Sequence, residues 1–159
     1  MKKLLTFSFF LAVLLTTSFN GFSQAYKQGD NLVNLGIGVA NTYGTAFGIS
    51  FEHGFTENIS AGGSADFLSY SVLGSGYTWL YFSARGSYHL GELLKAGDKL
   101  DPYAGAGLGY LSSGGLSGFG GIYPQIHVGA RYYFTEKIGG FAEAGAGSAA
   151  LKLGVALKF

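Results

Sequence analysis

The chain has 159 residues, of which 28 are glycine, 16% aromatic and only 12% charged, with two prolines and no cysteine. That length suits one domain, and half the usual charge with a mean hydropathy of +0.27 excludes a disordered chain. A formal net charge of +1 excludes the basic face of a nucleic-acid binder, and the missing cysteines exclude a disulfide framework, a thiolate zinc site and an acylated lipoprotein cysteine.

At the N-terminus, Met1-Lys2-Lys3 is a short basic start and Leu4 to Leu15 is nearly continuous apolar sequence. Ser23-Gln24-Ala25 then sets small residues at the −3 and −1 positions of a cleavage site, completing a secretory signal peptide over residues 1–25. A membrane-spanning helix needs about 20 apolar residues, and this run holds about 12. The remaining domain is residues 26–159. Losing Lys2 and Lys3 shifts its formal charge from +1 to −1, so the slight basicity belongs to the leader and says nothing about partners.

From residue 30 onward apolar residues recur with period two, which places one set on each face of a strand. In Leu32–Ala40 the apolar set is Val33, Leu35, Ile37 and Val39; in Thr45–His53 it is Phe47, Ile49 and Phe51. Ile59–Phe67, Trp79–His89 and Tyr103–Leu111 follow the rule with apolar sides diluted by Ala and Gly. Gln125–Tyr133 alternates cleanly, Ile138–Gly147 is again Ala- and Gly-rich, and Ala149–Phe159 alternates to the end. Eight strands of this length match what a tilted strand needs to cross a bilayer, about 9–11 residues. Leu90–Lys99 is the one short helical candidate. The expected fold is all-β, an eight-stranded antiparallel up-and-down transmembrane barrel.

The non-apolar face carries glycine, small residues and only one or two charges per strand, unlike a solvated face. An outer-membrane barrel inverts the soluble pattern, with apolar residues toward lipid and polar or small ones in a crowded lumen. On that facing Glu52, Asp66, Arg85, His127, Arg131, Glu143 and Lys152 point inward, with His89. Unpaired charges there would cost several kcal/mol, so they are expected to pair. A turn centred between Gly147 and Ser148 sets Glu143 opposite Lys152, and that ion pair is expected. Such a network could be a gate that switches partners, or a static polar core.

Phe55-Thr56-Glu57-Asn58-Ile59 is echoed 79 residues later by Phe134-Thr135-Glu136-Lys137-Ile138. Both fall at strand connections on one rim, shared with Leu90–Leu100. Asn41–Gly44, Leu68–Thr78, Ser112–Gly121 and Gly147–Ser148 lie on the other, and the second and third are expected to be long outward loops carrying Tyr70, Tyr77, Leu116 and Phe119. Two aromatic belts are expected, with Tyr43, Tyr77, Trp79, Tyr110 and Tyr123 near one end. Phe55, Tyr88, Tyr103, Tyr132, Phe134 and Phe159 would form the other.

The last eight residues, Lys152 to Phe159, place Lys152, Gly154, Leu157 and Phe159 in a polar-x-Gly-x-x-apolar-x-aromatic pattern. This resembles the C-terminal insertion signal of outer-membrane barrels. With Asp101-Pro102-Tyr103-Ala104-Gly105 and the Phe-Thr-Glu turns, the chain resembles small Bacteroidetes-type outer-membrane barrels of the OmpA/OmpX-like kind. The resemblance implies a Gram-negative outer-membrane location, contact with outer-membrane lipids and insertion by the barrel-assembly machinery. It implies a non-enzymatic structural or surface-interaction role.

No catalytic, cofactor or metal site is expected. Gly115-Leu116-Ser117-Gly118-Phe119 misses the nucleophile motif G-x-S-x-G by one place, and His53, His89 and His127 show no ligand spacing. Gly105 to Gly109 lacks the spacing and the following helix of a dinucleotide site. Three alternatives stay open: a lipid-modifying membrane enzyme with His127 or His89 as base, a soluble exported lipid-binding barrel with an apolar cavity, and a narrow porin-like pore.

Overall fold

The computed structural model describes residues 24–39, 45–72, 75–114 and 120–159. The expected leader up to residue 23, the loop 41–44 with Tyr43, and Leu116 and Phe119 lie outside the described residues, as do the side chains of Tyr70 and Tyr77. Eight strands follow in order: β1 (Asn31–Val39), β2 (Ala46–Gly54), β3 (Ile59–Val72), β4 (Ser75–His89), β5 (Leu100–Gly114), β6 (Gly120–Tyr133), β7 (Ile138–Ala146) and β8 (Leu151–Lys158). Each pairs antiparallel with its sequence neighbours, and β8 closes onto β1. The closing seam reaches the last residue, since Asn31 and Phe159 exchange backbone hydrogen bonds of 3.0 Å in both directions. Closure leaves no free edge at membrane depth, the condition for a sheet to stand in hydrocarbon.

Alternation decides the facing. Phe47 (59% exposed), Ile49, Phe51, Leu80, Phe82, Ile126 and Val128 point outward, whereas Glu52, Arg85, Asp101, Arg131 and Glu143 are buried inside. The Ala- and Gly-rich strands obey the same parity, with Ala61, Gly63 and Ala65 of β3 outward and Ser60, Ser64 and Asp66 inward. A buried set this polar rules out the apolar cavity of a soluble lipid-binding barrel. Inward glycines let neighbouring strands approach: a Cβ on Gly154 would collide with the Leu35 carbonyl oxygen, and one on Gly62 with that of Phe51.

The structure differs from the sequence expectation in three places. The first is at the far rim, where Leu68–Thr78 is mostly hairpin: β3 and β4 stay paired up to Val72 opposite Ser75. Ser112–Gly121 is likewise shortened by β5 and β6. Backbone pairing continues through Ser, Gly and Tyr because a ladder needs N–H and C=O groups, not apolar side chains. As a result β3 to β6 run 14 or 15 residues, against eight or nine for β1, β2, β7 and β8. At about 3.4 Å per residue, the five to seven extra residues raise one wall by roughly 17–24 Å along the strands.

The second difference is the helical candidate, a single turn in which Leu94 N donates to Leu90 O (2.9 Å) before Gly97 takes a φ of +78°. Residue 97 thus needs the left-handed freedom of glycine. The third concerns the belts. Phe55, Tyr88, Tyr110, Tyr132, Phe134 and Phe159 do face outward, but Tyr103 is fully buried in the lumen and Trp79 and Tyr123 pack inside the far end. All three share the parity of the inward charges, and parity overrides proximity to a rim.

The echoed turns are the same structure. Phe55 N and Thr56 N donate to Ile59 O (2.9 and 3.1 Å), and Phe134 N and Thr135 N donate to Ile138 O at the same two distances. The Thr56 hydroxyl accepts from Ile59 N at 2.9 Å and that of Thr135 from Ile138 N at 3.0 Å. Both lie at the end that carries the termini.

Candidate functional site

Among the described residues charge concentrates in the lumen, which is built by inward positions of all eight strands. Arg131 on β6 lies at its centre, 0% exposed. Its Nε donates to Asn34 Oδ1 (3.1 Å), one terminal nitrogen to Asp101 Oδ2 (2.9 Å) and the other to Glu52 Oε1 (3.3 Å). The guanidinium carbon stands 4.0 Å over the Tyr103 ring, so the cation is also held on a π face. Arg85 on β4 grips Glu143 on β7 with two terminal nitrogens at 3.2 and 2.6 Å. Its Nε approaches Glu52 Oε1 at 3.1 Å as an ionic contact whose N–H is not aligned as a hydrogen bond. Tyr103 donates its hydroxyl to Glu143 Oε2 at 3.0 Å.

Lys152 on β8 donates to both oxygens of Asp66 on β3, at 2.9 and 2.7 Å. This corrects the expected ion pair. Glu143 and Lys152 are opposite in register, yet each takes a partner from across the barrel. In so narrow a lumen the opposite wall is within reach of a long side chain, and Arg85 offers Glu143 a two-pronged contact that a point-charge ammonium does not. The space left between Asn34, Ser50, Asp66, Arg85, Glu143 and Lys152 is about 10 Å³, room for about one water.

His127, inward on β6 like Arg131, holds its Nε2 2.9 Å from Ser87 Oγ. Two acids flank a second histidine. His89 Nδ1 is 2.7 Å from Asp101 Oδ1, its Nε2 is 2.9 Å from Ser60 Oγ, and Ser60 donates to Glu52 Oε2 at 2.6 Å. These are the residue types of an acyl-transfer triad, in the wrong state for that work. The serine gives its proton to Glu52, not to the imidazole, and Ser60 is fully buried. A nucleophile needs a free base and an open approach. Tyr26 also closes the approach to His89, with ring centroids 3.4 Å apart and planes within 3°. Burial, with Asp101 and Asp30 nearby, pushes the Tyr26 phenol up to about 12, so it stays protonated and donates to the Thr56 and Ile59 carbonyls, each at 2.8 Å.

Asp101, Ser60, Tyr103 and Asn34 escape the sequence reading. A connection over Leu90–Leu100 and an alternation counted from Tyr103 leave Asp101 at the opening of the strand with no facing; with β5 begun at Leu100 it takes the same inward parity as Tyr103. That parity was the available signal. Asp101 makes the lumen's permanent charges four acids against three bases, and the surplus carboxylate is the one facing His89. Above the ions, Ala46, Leu68 and Tyr81 form a buried apolar cluster backed by Trp79, Leu111 and Tyr123.

No family model and no curated protein matches the sequence. Solved structures do match. A de novo designed transmembrane β-barrel aligns with a TM-score of 0.60 and 17% identity, over 86% of this chain and 100% of the design. The N-terminal β-barrel domain of Pseudomonas aeruginosa OprF aligns with a TM-score of 0.54 and 21% identity, over 84% of this chain and 100% of that domain. The fold is that of a small transmembrane β-barrel. Among the described residues this transmembrane barrel has no cluster of His, Asp and Glu fit to hold a metal. The four residues of the C-terminal pattern divide by parity: Lys152 and Gly154 face the lumen, and Leu157 and Phe159 face outward.

Proposed function

We propose that the chain is a non-enzymatic outer-membrane protein of the small Bacteroidetes-type, Gram-negative kind, with a structural or surface-interaction role. It is exported by its N-terminal leader and inserted by the barrel-assembly machinery through Lys152, Gly154, Leu157 and Phe159. The observation that carries this reading is the inverted facing, with Arg131 fully buried while Phe47 is 59% exposed. Only a solvent of lipid makes that arrangement favourable. Within that frame Glu52, Asp66, Arg85, His127, Arg131, Glu143 and Lys152 act as a polar core that seals the lumen, and the tall wall of β3 to β6 is the surface offered to partners outside the cell.

The test is electrophoresis of the outer-membrane fraction, boiled against unboiled, followed by planar-bilayer recording. A closed barrel resists SDS and shifts on boiling because its backbone groups pair internally. A heat-dependent shift without steady conductance is the expected result. A soluble protein with no shift would contradict the membrane reading, and steady single-channel steps would replace the sealed core by a pore.

A further inference from the structure

We infer that export processing cuts the chain between Ser23 and Gln24, leaving Gln24, Ala25 and Tyr26 as a built-in cap on the terminal mouth of the barrel. This rests on the reading of the chain as an exported barrel and shifts the cut from the position after Ala25. Small residues alone do not choose between the two, because Gly21 and Ser23 satisfy the −3 and −1 positions as well as Ser23 and Ala25 do.

The contacts of the folded barrel favour the cut before Gln24. Ala25 is buried, packed with Tyr133, Phe141 and Ala156 inside the mouth. The Lys158 ammonium donates to the Gln24 carbonyl (2.9 Å) and the Ala25 carbonyl (3.1 Å), with Asp30 Oδ2 at 3.7 Å and the Tyr133 ring 4.9 Å away. A cut after Ala25 removes both carbonyls. It also creates a second ammonium on Tyr26, one bond from where the Ala25 carbonyl stood, so two cations would share Asp30 in a buried mouth. Burying a cation without its acceptors is costly. A cut before Gln24 keeps both carbonyls and places the new amine on an exposed residue, where water solvates it.

The rest of the segment is equally built in. Gly29 N donates to Gly54 O at 2.9 Å and Gly54 N to Asp30 O at 2.8 Å, which extends the ladder of β2 into the cap. Lys27 N donates to Asp30 Oδ2 at 3.0 Å, fixing the carboxylate beside Lys158. The processing step is a hydrolysis: water adds across the Ser23–Gln24 amide, the C–N bond breaks, Ser23 leaves with the carboxylate, and Gln24 keeps the amine. A leader peptidase of the exporting cell supplies the catalyst.

The test expresses the full chain in a Gram-negative host, purifies the membrane-inserted protein, digests it with trypsin and sequences the N-terminal peptide by mass spectrometry. The expected peptide is Gln24-Ala25-Tyr26-Lys27. Tyr26-Lys27, or any other exported start, overturns the inference while leaving export intact; a chain still starting at Met1 contradicts the export reading, and the inference with it. In a second arm, chains starting at Gln24 and at Tyr26 are refolded in detergent and melted. The shorter chain is expected to unfold several degrees lower, with most of that difference gone in Lys158→Met. Equal melting of the two unsubstituted chains would overturn the argument from Lys158.

Discussion

The lumen half nearer the termini is held by charge, and the far half by aromatic and aliphatic packing, although one alternation builds both. Around Arg131 the polar inward side chains are partners it must reach, Asp101 from β5, Glu52 from β2 and Asn34 from β1, with Tyr133 and Phe141 packed on Ala25 at the mouth. Around Leu68 the inward positions hold Ala46, Tyr81, Trp79, Leu111 and Tyr123, which pack against one another, and Tyr81 and Tyr123 meet edge to face at 5.7 Å. Charges are demanding about geometry and fail badly when one member is lost; apolar packing fails in proportion to the volume removed. The two halves should therefore answer mutation differently.

The largest effect is expected from Arg131→Met, which leaves Glu52 and Asp101 facing each other without their shared cation. A loss of about 3–5 kcal/mol is expected for breaking such a buried set, read as the midpoint of urea unfolding in detergent micelles. In the other half Leu68→Ala should cost about 3 kcal/mol by leaving a cavity. The single tryptophan, Trp79, lies in that half, so its emission reports the packed end while the electrophoretic shift reports the whole barrel. A Leu68→Ala cost well above that for Arg131→Met would reverse the comparison.

A sharper test separates register from contact within the ionic half. A double-mutant cycle on Arg85→Met and Glu143→Gln should show coupling of about 2 kcal/mol, whereas Glu143→Gln with Lys152→Met should couple by less than about 1 kcal/mol, as cross-strand neighbours without direct contact do. Strong coupling of the second pair would restore the cross-strand neighbour as the true partner. The smallest effects belong to the echoed turns. Thr56→Ala and Thr135→Ala should each cost about 1 kcal/mol and, because their hydrogen bonds match to within 0.1 Å, should cost the same.

These contrasts also show what a linear sequence conveys. Parity places Glu52, Asp66, Arg85, Arg131, Glu143 and Lys152 in the lumen, because a period-two pattern survives without knowledge of the third dimension. Turn chemistry is legible for the same reason, and Phe-Thr-Glu builds one turn twice. Partner choice is not legible, since Arg85 and Glu143 come from β4 and β7, which share no ladder. Strand ends are hidden where side chains stop alternating: Pro102 conceals the start of β5, and the Ser- and Gly-rich stretch of β3 and β4 conceals their paired backbone. The buried serine between His89 and Glu52 is invisible too, because serine at an inward position looks like any small lumen residue.

The inverted facing is tested most directly by spin labels. The native chain has no cysteine, so single cysteines at Leu35, Ile37, Phe47, Ile49 and Phe51, and at Asn34 and Ser50 between them, carry the label without background. In reconstituted bilayers the first five should collide with dissolved oxygen and not with a water-soluble nickel chelate, while the last two should be shielded from both. Accessibility that fails to alternate, or nickel access at Phe47 and Ile49, would contradict a barrel that wears its apolar face outward.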